Sequence, residues 1–132
     1  MAADASVNER IMVVEDDADC RSALVDLLRV WGYQPEIASD GLEALHKFHV
    51  TRPTAIISDL QMPGLDGIEL FKAVRRSAPR VCCILVTGDP SEKVEVLSGL
   101  GIADCLHKPL DPQRLRQDLE RWVESSRENS QP

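Results

Sequence analysis

Residues 55–67 read AIISDLQMPGLDG: a short uncharged run, an aspartate, and a turn segment holding Pro63 and Gly64. Ala55–Ser58 is too short for a helix and carries no charge, as expected of a strand buried on both faces. Asp59 stands where that strand stops. Asp66 then precedes a helical pattern with Ile68, Phe71 and Val74 as its apolar positions, closing before Pro79. A buried strand, an acid at its end, a turn and a helix make the first part of a parallel crossover unit.

The same unit recurs on both sides. Short apolar runs lie at Ile11–Val14, weakly at Glu36–Ala38, at Val81–Val86 and at Cys105–Leu106. After the first, Cys20, Leu24, Leu27, Leu28 and Trp31 fall on one helical face, and Gly32 follows as a terminating glycine. Ser39 or Asp40 opens a second helical pattern with Leu42, Leu45 and Phe48, closed by Pro53. A fourth is expected from Ser91, with Glu92 and Glu95 in its first turn, where acids suit the helix dipole. A fifth is expected from about Pro112, with Leu115, Leu119, Trp122 and Val123 on one side, fading after Glu124. Five strands alternating with helices predict a doubly wound α/β fold with a parallel sheet covered on both faces.

The 132 residues suit one domain, expected over 9–125 with flexible tails at 1–8 and 126–132. Hydrophobic residues at 43% and charged residues at 28% give ordinary globular composition, with no need of a disulfide or metal staple. Fifteen Lys and Arg against 22 Asp and Glu leave a formal charge of −7, which argues against nucleic acid or an anionic membrane as a direct partner of this segment. The longest apolar run, Val81–Val86, is far too short to span a bilayer, and Met1–Arg10 has no apolar signal core; a cytoplasmic protein is expected. Cys20, Cys82, Cys83 and Cys105 show no metal-ligand spacing and are expected as reduced thiols, with Cys82 and Cys83 on opposite faces of their strand. His46, His49 and His107 likewise lack partner spacing, and Trp31 and Trp122 are expected to pack.

In an open parallel sheet, ligands bind beyond the carboxyl ends of the strands. Glu15, Asp16 and Asp17 follow the first strand here, Asp59 the third, Thr87 the fourth and Lys108 the fifth. Carboxylates crowded together raise one another's free energy unless a cation neutralises them. Mg²⁺ suits such a cluster, since it takes hard oxygen ligands and keeps waters that a phosphoryl oxygen can replace. Lys108 adds a second positive charge and Thr87 a hydroxyl. Asp59, on the run that such a topology places centrally, is the candidate nucleophile.

The segments VVEDD at 13–17, SDLQMPGLDG at 58–67, VTGD at 86–89 and HKPL at 107–110 resemble the receiver domain of two-component response regulators, over about residues 9–125. The acidic pair's Asp16 precedes Asp59 by 43 residues, in keeping with that resemblance. The resemblance implies a flavodoxin-like (βα)5 fold with strand order 2-1-3-4-5 and Mg²⁺-dependent phosphorylation of Asp59. The donor would be a histidine kinase, a phosphotransfer protein or a small phosphodonor. It further implies that Asp16 binds the metal directly, Glu15 through water and Gln61 through its backbone carbonyl, while Thr87 and Lys108 contact the phosphoryl group. A cis Lys108–Pro109 bond is implied as well, and Asp17 is read as helping to start the first helix.

Three positions set this chain apart. Many receivers carry an aromatic ring where Cys105 stands, and a thiol cannot report on Thr87 by turning a ring; Thr87 and the loop after it are expected to move while Cys105 packs. Gln61 and Asp89 stand where, by the same resemblance, residues that tune hydrolysis of the acyl phosphate are expected. The implied role is a switch that binds a downstream protein or output domain and turns over no separate substrate. It would act either alone or as the N-terminal receiver of a longer regulator, the start MAADASVNER reading as a natural N-terminus. A phosphorylation-linked homodimer through the face between the fourth and fifth helices stays open. An aspartate-nucleophile phosphohydrolase would want a second acid at position 61, where Gln61 stands, and a cap segment that the chain lacks. A scaffold that is never phosphorylated would lack Asp59, Thr87 or Lys108, and all three are present.

Overall fold

The computed structural model describes residues 9–89 and 101–129. In chain order the elements are β1 (Arg10–Val14), α1 (Ala18–Val30), β2 (Gln34–Ala38), α2 (Gly41–Thr51), β3 (Ala55–Asp59), α3 (Gly67–Ser77), β4 (Cys82–Thr87), β5 (Asp104–His107) and α4 (Pro112–Asn129). The helix expected from Ser91 falls outside the described residues, so α4 is the fifth helical pattern of the sequence. All neighbouring strands are parallel, in the order β2-β1-β3-β4-β5, and the fold is flavodoxin-like as expected.

Strand alternation sorts the core into two layers. Ile11, Val13, Ala55, Ile57, Cys82, Ile84, Val86 and Leu106 face one way, under Leu24 and Leu28 of α1 and Leu115 and Leu119 of α4. Met12, Val14 and Ile56 face the other way, under Ala44 and Phe48 of α2 and Leu70 and Val74 of α3. Cys83, Leu85 and Cys105 continue that second face beneath Phe71. The three strands β1, β3 and β4 are buried on both faces, so they read as unbroken apolar runs. Each fully buried Leu or Ile contributes roughly 1.5–3 kcal/mol, so the two layers supply most of the driving force for folding.

Helix ends are set by local chemistry. Asp17 caps α1, its Oδ1 accepting from the Asp19 and Cys20 amides at 2.9 and 3.2 Å. Asp40, not Ser39, caps α2. Asp66 and Glu69 form a reciprocal capping box on α3. Gly32 follows α1 at φ 93°, a conformation that costs a glycine little.

Three expectations need correction. Leu42 is 67% exposed, because the buried stripe of α2 runs through Gly41, Ala44 and Phe48 and leaves Leu42 on the solvent side. Trp122, one turn beyond Leu119, is 37% exposed. Backbone helicity in α4 runs on to Asn129, past Glu124, since residues 125–129 contain no Gly or Pro to break it. Among the described residues no helix is long and apolar enough to cross a membrane.

Candidate functional site

Strand register brings the sequence's scattered polar residues to one edge. Val14 pairs with Ser58, Asp59 with Val86, and Thr87 with His107, so β3 ends one residue beyond β1, β4 one beyond β3, and β5 level with β4, all at one edge. Asp59 and Thr87 are the last residues of their strands, and Glu15 follows β1 directly. The loops are then tied together: the Leu60 amide donates to the Val86 carbonyl at 2.7 Å, and the Lys108 amide to the Thr87 carbonyl at 2.8 Å. The Lys108–Pro109 peptide bond is cis.

Glu15, Asp16 and Asp59 each present a carboxylate oxygen within 4.8 Å of the others, an arrangement able to hold a metal ion. Glu15 and Asp59 are buried while Asp16 is exposed. Lys108 bridges the two buried acids, its Nζ donating to Glu15 Oε1 at 2.9 Å and Asp59 Oδ2 at 3.2 Å. Burial raises the Glu15 pKa, opposed by its hydrogen bonds from Lys108 and the Asp17 amide. Burial alone would lower the pKa of Lys108, but the Glu15 hydrogen bond and the Asp59 and Glu15 charges outweigh it, and the ammonium is held firmly charged.

The donor set suits a hard divalent cation. All three side chains offer oxygen, two stand on the protein side, and the exposed Asp16 leaves the outer side to water. Asp59 Oδ1 accepts from the Gln61 amide at 3.1 Å, which orients the carboxylate; the Gln61 side chain itself is exposed. Thr87 is buried, and its Oγ1 accepts from the Asp89 amide at 3.0 Å. That bond occupies an acceptor position on the hydroxyl and leaves its O–H as a donor. Cys105 lies buried among Leu60, Phe71, Cys83, Leu85 and Ile102, on the sheet face away from Leu106.

Sequence reading missed two contributors. Arg21 donates from Nη1 to the Glu15 carbonyl at 2.7 Å and so pins the peptide that leads into Asp16. Its signal was a cation near the start of α1, where the helix dipole disfavours one and where helical side chains lean back toward the preceding loop. Gly67 is the other. A Cβ there would lie 2.6 Å from the Asp59 carbonyl oxygen and 3.0 Å from Leu60 Cα, so α3 can start against β3 only with glycine. His46, His49 and His107 are exposed, and none belongs to the group of side chains able to hold a metal ion.

A family model described as response regulator receiver domain matches residues 11–120. A probable transcriptional regulator of Guillardia theta is 36% identical over 114 residues, covering 85% of this chain and 44% of that protein. The DNA-binding response regulator MtrA of Mycobacterium tuberculosis is 32% identical over 112 residues, covering 83% and 48%. A CheY-like receiver domain structure from Methanospirillum hungatei superposes with a TM-score of 0.83 at 27% identity, covering 92% of this chain and 98% of that one. The chain thus spans about half, or less, of the length of these two sequence relatives and nearly all of the solved receiver domain.

Proposed function

This chain belongs to the response regulator receiver domain family, a signalling domain of two-component systems, and we propose that Asp59 is its phosphoacceptor. The observation that carries this reading is the meeting of Glu15, Asp16 and Asp59 within one ligand distance while Lys108 reaches Asp59 Oδ2 at 3.2 Å. A carboxylate oxygen of Asp59 attacks the phosphorus of the donor. The new O–P bond forms as the bond to the donor's leaving group breaks, and that group departs with the electron pair, as imidazole from a kinase or phosphotransfer histidine or as acetate from acetyl phosphate.

The remaining residues supply positioning and charge. Glu15, Asp16, Asp59 and the Gln61 carbonyl would hold Mg²⁺, which when bound offsets the negative charge of the transferring phosphoryl group. The Gln61 amide fixes the Asp59 carboxylate so that one oxygen can point at the donor. Lys108 donates to the phosphoryl oxygens in place of Asp59, and the Thr87 O–H donates to another. Because Thr87 and Lys108 are joined through backbone, a shift of Thr87 toward the phosphoryl group moves the ends of β4 and β5 together. Cys105 packs through that change. Gln61 and Asp89, flanking the acyl phosphate, set how readily water reaches it.

The partners we infer are a cytoplasmic histidine kinase or phosphotransfer protein and a downstream protein or output domain. Any nucleic-acid contact would then be made by a separate output domain, since this segment carries −7. The test is intact-mass spectrometry after incubation with Mg²⁺ and acetyl phosphate. One phosphoryl adduct is expected, lost in Asp59→Asn and lost on chelation; a folded protein that gains no adduct, or that keeps it in Asp59→Asn, sinks the reading.

A further inference from the structure

We propose that Asp104, Arg114 and Asp118 form a proton-binding site beneath α4, in which Asp118 holds a proton that the packing of α4 on β5 requires, so that this packing weakens as pH rises. The site lies on the opposite side of β5 from Cys105 and is independent of phosphoryl transfer.

The geometry begins with Asp104, the first residue of β5. Arg114 grips it with two donors, Nε to Oδ2 at 3.1 Å and Nη2 to Oδ1 at 2.8 Å, and the Cys105 amide adds a third at 2.8 Å. Three donors therefore hold Asp104 as a carboxylate, and one acceptor position remains on Oδ2. Asp118, one turn along α4 from Arg114, sets a second carboxyl close enough to Asp104 for each to shift the other's pKa. Two carboxyl groups bond to each other only if one is protonated, since a carboxylate has no hydrogen to give. Read as an anion, Asp118 also has a buried Oδ2 with no hydrogen-bond partner. A single proton on Asp118 turns the carboxyl contact from repulsion into a bond.

Charge around the pair assigns the proton to Asp118. Burial pushes the Asp104 carboxyl up, but its bonds to Asp118, Arg114 and the Cys105 amide outweigh this and hold it below the usual range. Burial, then the hydrogen bond and charge of Asp104, push Asp118 up to about 7 against the pull of Arg114 and Arg121. From β4 the facing group is Cys82, whose thiol is pushed by burial to about 12 and so stays neutral. Asp111 adds negative charge beside Arg114. Arg116 is turned toward Trp31 of α1 and toward Glu120. His107, at odd register from Asp104, points to the other face of β5 and is exposed.

The sign follows from linkage. Between the ordinary aspartate range and about 7 the folded protein carries a proton that the unfolded chain does not, so stability falls as pH rises across that window and levels off above it. Asn at 118 keeps a donor toward Asp104 and has no proton to lose.

The experiment is a carboxyl NMR titration of the full chain carrying ¹³C-labelled aspartate, from pH 4 to 9, with the urea midpoint measured at pH 5.5 and 8. In the native protein the Asp118 signal, assigned by through-bond correlation, is expected to titrate near neutrality. In Asp104→Asn it should move at least tenfold lower in proton concentration's reciprocal, that is, by a pH unit or more toward acid (a factor of about ten corresponds to 1.4 kcal/mol). The urea midpoint should fall from pH 5.5 to 8 in the native protein and fall by less in Asp118→Asn. An Asp118 carboxyl that titrates below pH 5.5 overturns the proposal, even if neither variant folds. So does a midpoint difference that persists undiminished in Asp118→Asn.

Discussion

Lys108 Nζ stands 3.2 Å from Asp59 Oδ2 although 49 residues separate the two in the chain. The same ammonium holds Glu15, 93 residues away, at 2.9 Å. One cation therefore offsets two buried acids that stand at the ends of two other strands. Replacing it with an apolar side chain of similar length leaves those acids facing each other. Lys108→Met should cost about 1–2 kcal/mol, less than a fully buried pair would because the lysine side chain is 28% exposed. Urea denaturation in chelator measures the loss. Millimolar Mg²⁺ should reduce it, since a divalent ion can take over part of the lost charge.

The acid cluster also predicts a metal-linked stability in the unaltered protein. At ten times its dissociation constant, Mg²⁺ should stabilise the fold by about 1.4 kcal/mol. Asp16→Asn, which removes an exposed member of the proposed ligand set without opening the core, should abolish most of that gain while leaving the chelator baseline within a few tenths of a kcal/mol. Thermal unfolding with and without Mg²⁺ decides it. Equal gains in both proteins would place the cation elsewhere.

Arg21 acts on the same site at one remove, through the Glu15 carbonyl at 2.7 Å. Arg21→Gln should weaken Mg²⁺ binding on the order of tenfold, the low end for a residue that orients a ligand without touching the metal. Calorimetric titration gives the affinity directly. Lysine at this position should recover part of it, whereas a purely structural role for Arg21 would lower the melting temperature and leave the affinity unchanged.

At Gly67 the prediction is steric. The added methyl of Gly67→Ala meets the Asp59 carbonyl at 2.6 Å, so either α3 or the end of β3 must move. A destabilisation of about 1–3 kcal/mol is expected, as in other overpacked positions. Phosphoryl acceptance from acetyl phosphate should slow more than stability alone explains, because the backbone that shifts is that of Asp59, the proposed phosphoacceptor. Rates compared under conditions where both proteins are fully folded make the distinction.

The four thiols offer a further check. Cys82, Cys83 and Cys105 are buried, burial raises the Cys82 thiol to about 12, and it raises Cys83 as well. In the native state at pH 8 these three should resist an aromatic disulfide reagent. Half-buried Cys20, its thiol also raised by burial, should react slowly, and all four should react in denaturant. Rapid native labelling at Cys105 would argue that the β5 face opens and would favour a redox role there.

Much of this molecule was legible in one dimension. Strands buried on both faces leave unbroken apolar runs, and helices between them leave a 3.6-residue stripe, so the alternation and the parallel sheet could be read directly. Polar residues at the strand ends then pointed to Glu15, Asp16, Asp59, Thr87 and Lys108. The helix-capping roles of Asp17 and Asp40 were equally local, since a cap satisfies amides two or three residues away.

What the chain could not display was any relation carried across strands. Leu42 looks like core in a helical wheel but is exposed, because the angle at which α2 lies on the sheet is a packing outcome. Asp104 and Asp118 are ordinary surface-type acids in sequence, fourteen positions apart, and only the seating of α4 on β5 presses them together. Arg21 and Gly67 matter through a backbone carbonyl each, and carbonyl positions are not written in side-chain identity. Sequence by itself determined the elements, their order and the acids at their ends, because hydrophobic periodicity and turn chemistry are local. Tertiary structure alone decided which charges meet, because Coulomb energy and desolvation depend on distances and burial that exist only once the strands are in register.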